Sequence, residues 1–326
     1  MPNLSPSEIA ANMDGIVRPV TDGRSEALLP SPRIQNHAPF LSWSSGQLQC
    51  LWFGGTLEGK SDISIWRSTL TGSQWSDPEL LSDDPERSEQ NPVQFKTPSG
   101  ETLLINTAQK GGSQDSCVLR AREIGQKARE LPLPKGTFVR APVVVRDDGA
   151  WLLPLFRCIT QPDGRWTGND DTAAVAITQD DGATWRMVEV PSSIGCVHMT
   201  LVDLGEGRIA AFYRRRQADF VHRAESVDGG ESWSAPLPTN IPNNNSSISV
   251  IRLHDGRLAM ACNPSNAAMH PDARRLSLYD ELGEDDGSDA QGTGRAIWGV
   301  PRAPMALCFS ETEGRAFETT VTVEDG

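Results

Sequence analysis

Histidine and arginine side chains stand beside several short apolar segments of this sequence, and these two residue types can work together in acid–base chemistry. His37 and His198 each lie near the start of an apolar segment, at positions that look equivalent. An imidazole titrates near neutral pH and accelerates proton transfer by about 10²–10⁴-fold. An arginine fork binds a carboxylate at two points and stabilises negative charge that develops beside it. We therefore predict catalytic roles for His37, His198 and Arg140 on an anionic ligand.

Further polar side chains occur beside the same kind of segment, and we predict that they bind the ligand. Amide and carboxyl groups can bond ligand hydroxyls, and arginine or lysine can bind negative charge. The predicted binding residues are Asp62, Gln90, Lys110, Arg157, Arg214, Arg216 and Asn244. These predictions have structural alternatives. Histidines and Asn-rich turns often only support the fold, and an arginine can simply pair with an acidic neighbour, such as Asp219 beside Arg216.

The composition limits the classes of partner. The chain has 326 residues and a formal net charge of −13, which argues against nucleic acid and anionic membranes, because both require a basic face. No apolar run approaches the ~20 residues of a membrane-spanning helix, and the first thirty residues lack the pattern of a secretory signal. A cytoplasmic location is therefore expected. The six cysteines are scattered without metal-ligand spacing, so we predict buried thiols and neither a metal nor a cofactor.

Short apolar runs rich in β-branched and aromatic residues recur along the chain, separated by Gly, Pro, Asp and Asn. Such runs predict strands, and their even spacing predicts an all-β fold, whether sandwich, barrel or propeller. The clearest runs are 48–53, 63–66, 102–105, 141–145, 151–156, 173–177 and 208–213.

A repeated turn motif decides among these folds. Residues 178–185 read TQDDGATW and residues 226–233 read SVDGGESW, and their tryptophans are 48 residues apart. Degenerate copies occur at 69–75 (TLTGSQW) and 310–317 (SETEGRAF). In such a turn the Asp bonds nearby backbone amides, Gly supplies a positive φ and the Trp packs beneath. Two close copies and two degenerate ones at blade spacing predict a β-propeller.

The repeat also sets the domain boundaries. The interval between Trp75 and Trp185 is 110 residues, which is long enough for two blades, the first of which has lost its motif. We predict one propeller over residues 31–326, preceded by an N-terminal arm over 1–30. The Gly- and Asp-rich stretch 267–300 lengthens the last interval and predicts a loop insertion.

The motif and several longer phrases resemble the Asp-box, sialidase-like superfamily of β-propellers. The likeness is greatest to a microbial neuraminidase-like group that includes lyases removing L-rhamnose from 4-linked glucuronic acid. It implies six or seven blades and an acidic oligosaccharide as substrate. Relatives continue for one blade beyond the last Asp-box, so the last blade is expected to be incomplete. The phrases that carry the resemblance are NHAPFL (36–41), WFGGTLEGKSDISIW (52–66), QNPVQF (90–95), VRAPVVV (139–145), CVHMTLV (196–202), FYRRRQAD (212–219) and PNNNSSISVIRLHDGRLAMACNPS (242–265).

Differences from true sialidases favour a lyase. Sialidases of this superfamily place three arginines around a carboxylate and use a Tyr/Glu nucleophile pair with an Asp acid. Here His37 stands about where the first of those arginines belongs, and neither Tyr213 nor Tyr279 follows the sialidase pattern. The resemblance therefore implies β-elimination, with His37 as base and acid and Arg140 or Arg216 beside the substrate carboxylate.

Two other functions remain open. One is exo-sialidase-type hydrolysis, which needs two carboxylates across the scissile bond. Asp62 is one candidate, and the sequence offers no convincing second. The other is a propeller that binds a glycan or a protein without catalysis, which the polar and cationic residues on the inner strands argue against. The superfamily alone does not decide, because function diverges widely on one fold.

Overall fold

The described residues form an all-β fold with almost no helix, as the sequence predicts. The computed structural model describes residues 12–21, 23–111, 114–161, 166–273 and 295–325. Two short 3-10 turns interrupt the strands, at Gln114–Ser116 and Pro271–Ala273. The chain divides into two compact units, Met1–Leu131 and Pro132–Gly326. No helix in these described stretches has the length and apolar character needed to cross a membrane.

The first unit holds two sheets and one short strand pair. Its strands are β1 (Arg18–Pro19), β2 (Ser25–Glu26), β3 (Gln35–Ser44), β4 (Gln47–Gly55), β5 (Ser64–Thr71), β6 (Gln74–Trp75), β7 (Glu79–Leu80), β8 (Ser88–Lys96), β9 (Thr102–Gln109), β10 (Val118–Glu123) and β11 (Arg129–Glu130). One sheet has the order β3-β4-β5-β6, with β7 also paired to β5, and the other has the order β11-β10-β9-β8. The pair β1-β2 lies mostly within the predicted N-terminal arm.

The second unit holds three sheets. Its strands are β12 (Thr137–Val139), β13 (Val144–Val145), β14 (Trp151–Arg157), β15 (Thr172–Thr178), β16 (Arg186–Glu189), β17 (Cys196–Gly205), β18 (Arg208–Arg215), β19 (Phe220–Ser226), β20 (Leu237–Pro242), β21 (Ser249–Arg252), β22 (Leu258–Cys262), β23 (Met305–Ser310) and β24 (Thr319–Glu324). The orders are β12-β14-β15-β16 with β13 beside β14, then β17-β18-β19-β20, then β21-β22-β23-β24.

Each of the five sheets is an antiparallel meander, the architecture of a propeller blade. The expectation of six or seven blades is not confirmed, because the described residues form five. The fifth sheet has four strands, as the fourth does. The predicted blade without a motif is the sheet of β8 to β11, which confirms the interpretation of the 110-residue interval. Most of the predicted insertion 267–300 lies outside the described residues.

Apolar faces of neighbouring sheets in the second unit pack against each other. One cluster joins Leu152 and Val175 of the third sheet to Ala211 and Tyr213 of the fourth. The opposite face of β18 carries Phe212, which packs with residues of the fifth sheet in a second cluster. Successive residues of a strand point to opposite faces, so β18 supplies both layers. All six cysteines are buried, as predicted.

A one-residue bulge interrupts the first strand of several sheets. After His37, two residues of β3 stand opposite one residue of β4. After Val197, two residues of β17 likewise stand opposite one residue of β18. The residue that follows has a positive φ in each case: Ala38 (51°), and His198 (49°), with Asn91 (52°) in β8. By this register His198 corresponds to Ala38, and His37 corresponds to Val197. The sequence-based expectation that the two histidines are equivalent is therefore wrong, because His37 lies one residue before the bulge and His198 lies within it.

The two clear turn motifs fold as the sequence predicts. In the first, Asp180 accepts hydrogen bonds from the amide of Thr184 (2.8 Å) and from the hydroxyls of Thr178 (2.7 Å) and Thr184 (2.6 Å). These bonds lower the pKa of Asp180 to about 2. Asp228 accepts the same set from Ser226 and Ser232.

The degenerate motif at 310–317 makes the same turn without an aspartate. Thr312 takes the aspartate's place and accepts a hydrogen bond from the amide of Ala316 at 3.0 Å. The amide of Gly314 donates to the Ser310 hydroxyl at 2.9 Å, and Gly314 has a φ of +76°. A β-carbon at Gly314 would lie 2.2 Å from the ring of Phe212. The turn of the fifth sheet therefore rests directly on the core of the fourth.

We expect the variant Gly314→Ala to lower the free energy of unfolding more than Gly256→Ala does. Both glycines have a positive φ, but only Gly314 lies against the core, since nothing stands within 4 Å of a β-carbon at Gly256. Overpacking a core costs about 1–3 kcal/mol. Urea unfolding of the two variants measures the difference, and equal losses would contradict the packing of this turn.

Candidate functional site

A histidine and two arginines of the second unit lie close together where β17 begins and β18 ends. Arg214 lies in β18 opposite Val197, and Arg216 follows directly after that strand. Tyr213 points into the core between the third and fourth sheets, so alternation turns Arg214 to the other side. The bulge at His198 brings its imidazole beside Arg214, with 3.4 Å between Nη1 and Nδ1. We call His198, Arg214, Arg216 and the residues that contact them the His198 cluster.

A buried ion pair between Arg216 and Asp171 supports the His198 cluster. Arg216 donates from Nε (3.0 Å) and Nη2 (2.7 Å) to Oδ2 of Asp171. The side chains are only 2% and 0% exposed. The other carboxylate oxygen of Asp171 accepts hydrogen bonds from Trp166 Nε1 at 2.9 Å and from the amide of Ile159 at 3.3 Å. A buried ion pair needs such further bonds, because desolvation of both charges opposes it.

Aromatic rings enclose the Arg216 guanidinium. Its central carbon lies 4.9 Å from the ring centre of Trp298, 5.5 Å from that of Trp166 and 5.6 Å from that of Phe156. Cations are attracted to aromatic faces at these distances, and more strongly where water is excluded. Arg216 is therefore held on several sides and has little freedom to move.

Two of the groups that hold Arg214 are uncharged. Its Nε donates to Oδ1 of Asn245 at 2.7 Å, and its guanidinium lies 5.9 Å from the ring centre of Trp298. Asn245 in turn donates from Nδ2 to the carbonyl of Ile297 at 2.8 Å. The amide side chain therefore connects Arg214 to the chain segment that carries Trp298.

The segment 295–304 is fixed to the His198 cluster by backbone bonds. The amide of Ile297 donates to the carbonyl of Arg216 at 2.7 Å. Asn244 donates to the carbonyl of Pro301 at 2.7 Å, and Asn263 donates to the carbonyl of Arg302 at 2.8 Å. Asparagine side chains thus position the segment, and the segment positions Trp298 and Arg302.

His198 lies among positive charges. Its Nδ1 is 2.6 Å from the Ser247 hydroxyl, and its ring is 5.0 Å from that of Phe156. Burial lowers the pKa of His198 well below its usual value, and the charges of Arg214, Arg216, Arg140 and Arg302 lower it further. The imidazole is therefore neutral at pH 7. Burial also lowers the pKa of Arg140, to about 10, which leaves that guanidinium charged at pH 7.

Arg214 lies beside the imidazole, Arg216 lies on the Phe156 ring that also contacts it, and the charges of Arg140 and Arg302 act on it as well. Asp171 balances the charge of Arg216 through a direct ion pair. In a low-dielectric setting, the field of such a cluster favours a bound anion. Among the described residues no group of three or more His, Cys, Asp or Glu side chains is arranged to hold a metal ion. The His198 cluster is therefore suited to an anionic group such as a carboxylate.

The sequence profile of the BNR repeat-like domain family matches residues 46–326 of the chain. The chain belongs to this family. No curated protein sequence matches the chain.

Solved structures share the fold of this BNR repeat-like domain. The Hadza microbial sialidase Hz136 superposes with a TM-score of 0.66 at 12% identity, over 90% of this chain and 60% of its own. Trypanosoma rangeli sialidase gives 0.63 at 13% identity, over 96% of this chain and 51% of its own. A protein of unknown function from Dyadobacter fermentans gives 0.59 at 15% identity, over 71% and 77%. The likeness shows a sialidase-like β-propeller fold, and this chain spans about half to three fifths of the two sialidases.

Half of the predicted site residues of this BNR repeat-like domain lie in the His198 cluster or support it. They are Arg140, His198, Arg214, Arg216 and Asn244. Arg157 lies in β14 of the same unit and bonds Glu189 at 3.2 Å, as in the structural alternative. The acidic neighbour Asp219 pairs with Arg215 and not with Arg216.

The other predicted residues lie in the first unit, and their roles stay predictions. The ring of His37 stacks on Phe53 at 5.3 Å. Asp62 accepts hydrogen bonds from the amide and hydroxyl of Thr56, so it holds a loop. Gln90 is buried and donates to the Ser88 hydroxyl at 3.0 Å, whereas Lys110 is exposed.

Several members of the His198 cluster had no signal that singled them out. Asp171 and Trp166 lie in a polar stretch before β15, and Trp298 lies in the predicted insertion. Asn245 and Ser247 belong to the polar run that begins at Asn243, of which only Asn244 was chosen as a ligand residue. These residues act through contacts between distant parts of the chain, which the sequence pattern does not specify.

We expect Asp171→Asn to lower the free energy of unfolding by about 3–5 kcal/mol, because it leaves the buried Arg216 cation without its carboxylate. The matched change Asp219→Asn removes a partly exposed partner of Arg215 and should cost only about 0–1 kcal/mol. Chemical denaturation of both variants measures the two losses. Similar values for the pair would show that Arg216 does not depend on Asp171.

We also expect His198 to make the folded protein less stable in acid. Its folded-state pKa lies below the unfolded value, so below about pH 6.5 the unfolded chain binds a proton that the folded chain does not. The free energy of unfolding should therefore fall by up to about 1.4 kcal/mol per pH unit below that point. Denaturation between pH 5 and 7.5 measures this slope, and His198→Gln should reduce it. An unchanged slope in the variant would place the cause elsewhere.

Proposed function

We propose that this BNR repeat-like domain acts on a terminal acidic-sugar linkage and cleaves it by β-elimination, with L-rhamnose-α-1,4-D-glucuronate as the substrate class. The observation that carries the proposal is the set of guanidinium groups around the neutral His198. A uronate carboxylate has the charge and the planar geometry that an arginine fork binds at two points. We place this carboxylate beside Arg140 and Arg214.

Elimination fits a site that is rich in cations. A base takes the proton from the carbon next to the carboxylate, the carbon–carbon double bond forms, and the bond to the departing rhamnose oxygen breaks. That oxygen gains a proton, so the products are rhamnose and an unsaturated uronate. The carbon acid is too weak unless the charge that develops on the carboxylate is stabilised, and one well-placed donor is worth about 3–4 kcal/mol.

Hydrolysis with two carboxylates has less support from the described residues of the second unit. The carboxylate of the His198 cluster, Asp171, is bound by Arg216, Trp166 and the amide of Ile159. Tyr213 is buried in the core, where burial raises the pKa of its hydroxyl well above the usual value. It is therefore unsuited as a nucleophile. Tyr279 lies outside the described residues.

The base is the part of the proposal that rests on sequence alone. His37 is the proposed base, as the comparison with the sialidase motif implies, and its contact in the first unit is the Phe53 ring. His37→Ala should abolish cleavage if this assignment is right. Full activity in that variant would remove His37 from the mechanism.

A sialidase-type hydrolase is the second candidate, because two of the solved structures with this fold carry that name. A propeller that binds an acidic glycan without cleaving it is the third. All three predict an anion at the His198 cluster, so only the products separate them.

The deciding assay follows ultraviolet absorbance and released sugar together on a rhamnose-capped glucuronide and on a sialoside. Release of rhamnose with rising absorbance supports elimination, because the unsaturated uronate absorbs. Free sialic acid without a change in absorbance would assign the protein to the hydrolases. Binding of either sugar without product would favour the glycan-binding propeller.

We expect Arg214→Gln to reduce kcat/KM for the substrate by about 10²–10³-fold, because it removes a cation that stabilises developing charge. Arg208→Gln is the matched control, since Arg208 lies at the other end of β18 and bonds Glu225 and Glu313, and it should stay near wild-type activity. Steady-state kinetics with thermal melts of each variant separate a catalytic loss from unfolding. A normal rate for Arg214→Gln would contradict the assignment of the site.

A further inference from the structure

Two side chains converge on the same ring nitrogen of His198. The Ser247 hydroxyl oxygen lies 2.6 Å from Nδ1, and Nη1 of Arg214 lies 3.4 Å from it. Nε2, on the other side of the ring, makes no hydrogen bond to any residue in the described part of the chain. The two nitrogens of this imidazole therefore have different surroundings, and these determine where its proton resides.

The contact with Arg214 decides the tautomer. A guanidinium has only donors and stays charged in proteins. It can meet Nδ1 favourably only if that nitrogen presents its lone pair. The Ser247 hydroxyl can rotate to donate to the same nitrogen, since it is donor and acceptor alike. A neutral ring that accepts at Nδ1 carries its proton on Nε2.

We propose that His198 serves as a neutral hydrogen-bond donor from Nε2 to the anionic group of the sugar, and not as the base of the reaction. This inference rests on the proposed function, because it needs an anion at the His198 cluster. Ser247 is then a positioning residue, which keeps Nδ1 occupied. A neutral imidazole that donates to developing negative charge is an established form of catalysis.

Burial and, after it, the surrounding positive charges lower the pKa of His198 and keep its ring neutral. Arg214 and Arg216 face it from β18 and the residue after that strand, Arg140 from the segment after β12, and Arg302 from the segment 295–304. The carboxylate of Asp171 bonds Arg216 directly. Protonation would add a further positive charge to a group of cations, and burial opposes it as well.

Nuclear magnetic resonance of the full chain with nitrogen-15-labelled histidine tests the protonation state without any substrate. We expect a proton on Nε2 and an unprotonated Nδ1 throughout the range from about pH 5 to 8, in which histidines usually titrate. In Ser247→Ala the Arg214 contact remains, so the tautomer should persist, whereas Arg214→Gln should let the ring titrate closer to its usual pKa. A proton on Nδ1 in the wild type, or titration near pH 6.5, would overturn the inference.

A pair of amide variants tests the donor role by binding. The amide nitrogen of glutamine reaches the position of Nε2, whereas that of asparagine falls near Nδ1. His198 has a φ of +49°, a backbone region that asparagine tolerates better than most residues. A loss of affinity in His198→Asn would therefore not come from backbone strain. We expect His198→Gln to keep most of the affinity for glucuronate and His198→Asn to lose about 10-fold or more, the value of a hydrogen bond to a charged group.

Calorimetry with glucuronate as the probe, together with thermal melts, measures this pair. Retained affinity in His198→Asn with loss in His198→Gln, or wild-type affinity in both, would overturn the donor role. Wild-type affinity should also stay constant from about pH 5.5 to 8, because burial and the nearby positive charges hold the pKa of His198 well below its usual value.

The outcomes separate this inference from the proposed function. If the substrate is cleaved but His198 titrates near pH 6.5, the donor role is wrong and the lyase stands. If Nε2 carries the proton but neither glucuronate nor the rhamnose-capped substrate binds, the proposed function is wrong and the donor role with it, although the tautomer assignment stands.

Discussion

The buried pair of Arg216 and Asp171 is the interaction on which the His198 cluster depends. The carbonyl of Asp171 accepts the amide of Gly195, and the carbonyl of Gly195 accepts the amide of Arg216, so the backbone repeats the link that the side chains make. The carbonyl of Arg216 then receives the amide of Ile297. The ion pair and these backbone bonds together join the third sheet, the fourth sheet and the segment 295–304. Because either partner of the ion pair alone would leave a buried charge, Asp171 and Arg216 have to be in place together.

Arg214 and Arg216 lie together at the end of β18 but have different roles, because their partners differ. Arg216 bonds a carboxylate and is enclosed by three rings, which makes it a structural cation. Arg214 bonds the neutral amide of Asn245 and meets the lone pair of His198. A neutral partner such as Asn245 fixes a guanidinium in place without adding a negative charge beside it. The asparagines of the stretch 243–245 are therefore as important to an anion site as the arginines.

Sequence patterns predicted the turns and the blades, but only part of the site. A turn such as 178–185 is local, so its Asp, Gly and Trp are readable from spacing, and even the degenerate copy with Thr312 folds as expected. The site depends on contacts between distant residues: Arg216 finds Asp171 and not the neighbouring Asp219. The bulge adds a second obstacle, because His37 lies just before it in β3 whereas His198 lies within it in β17, which gives the two side chains different surroundings. Neither feature leaves a periodic trace in the sequence.

The strongly acidic chain holds its positive site by burial. A net charge of −13 gives a surface that repels anions at long range. At ordinary ionic strength, however, salt largely screens that repulsion beyond about 10 Å. Inside the His198 cluster, water is partly replaced by Phe156 and Trp298, so each guanidinium acts more strongly than it would at the surface. A histidine that gained a proton there would lose its Nδ1 lone pair and repel the Arg214 guanidinium. Keeping His198 neutral leaves the positive charge on groups that do not titrate near pH 7, and this makes recognition of a carboxylate independent of pH over the physiological range.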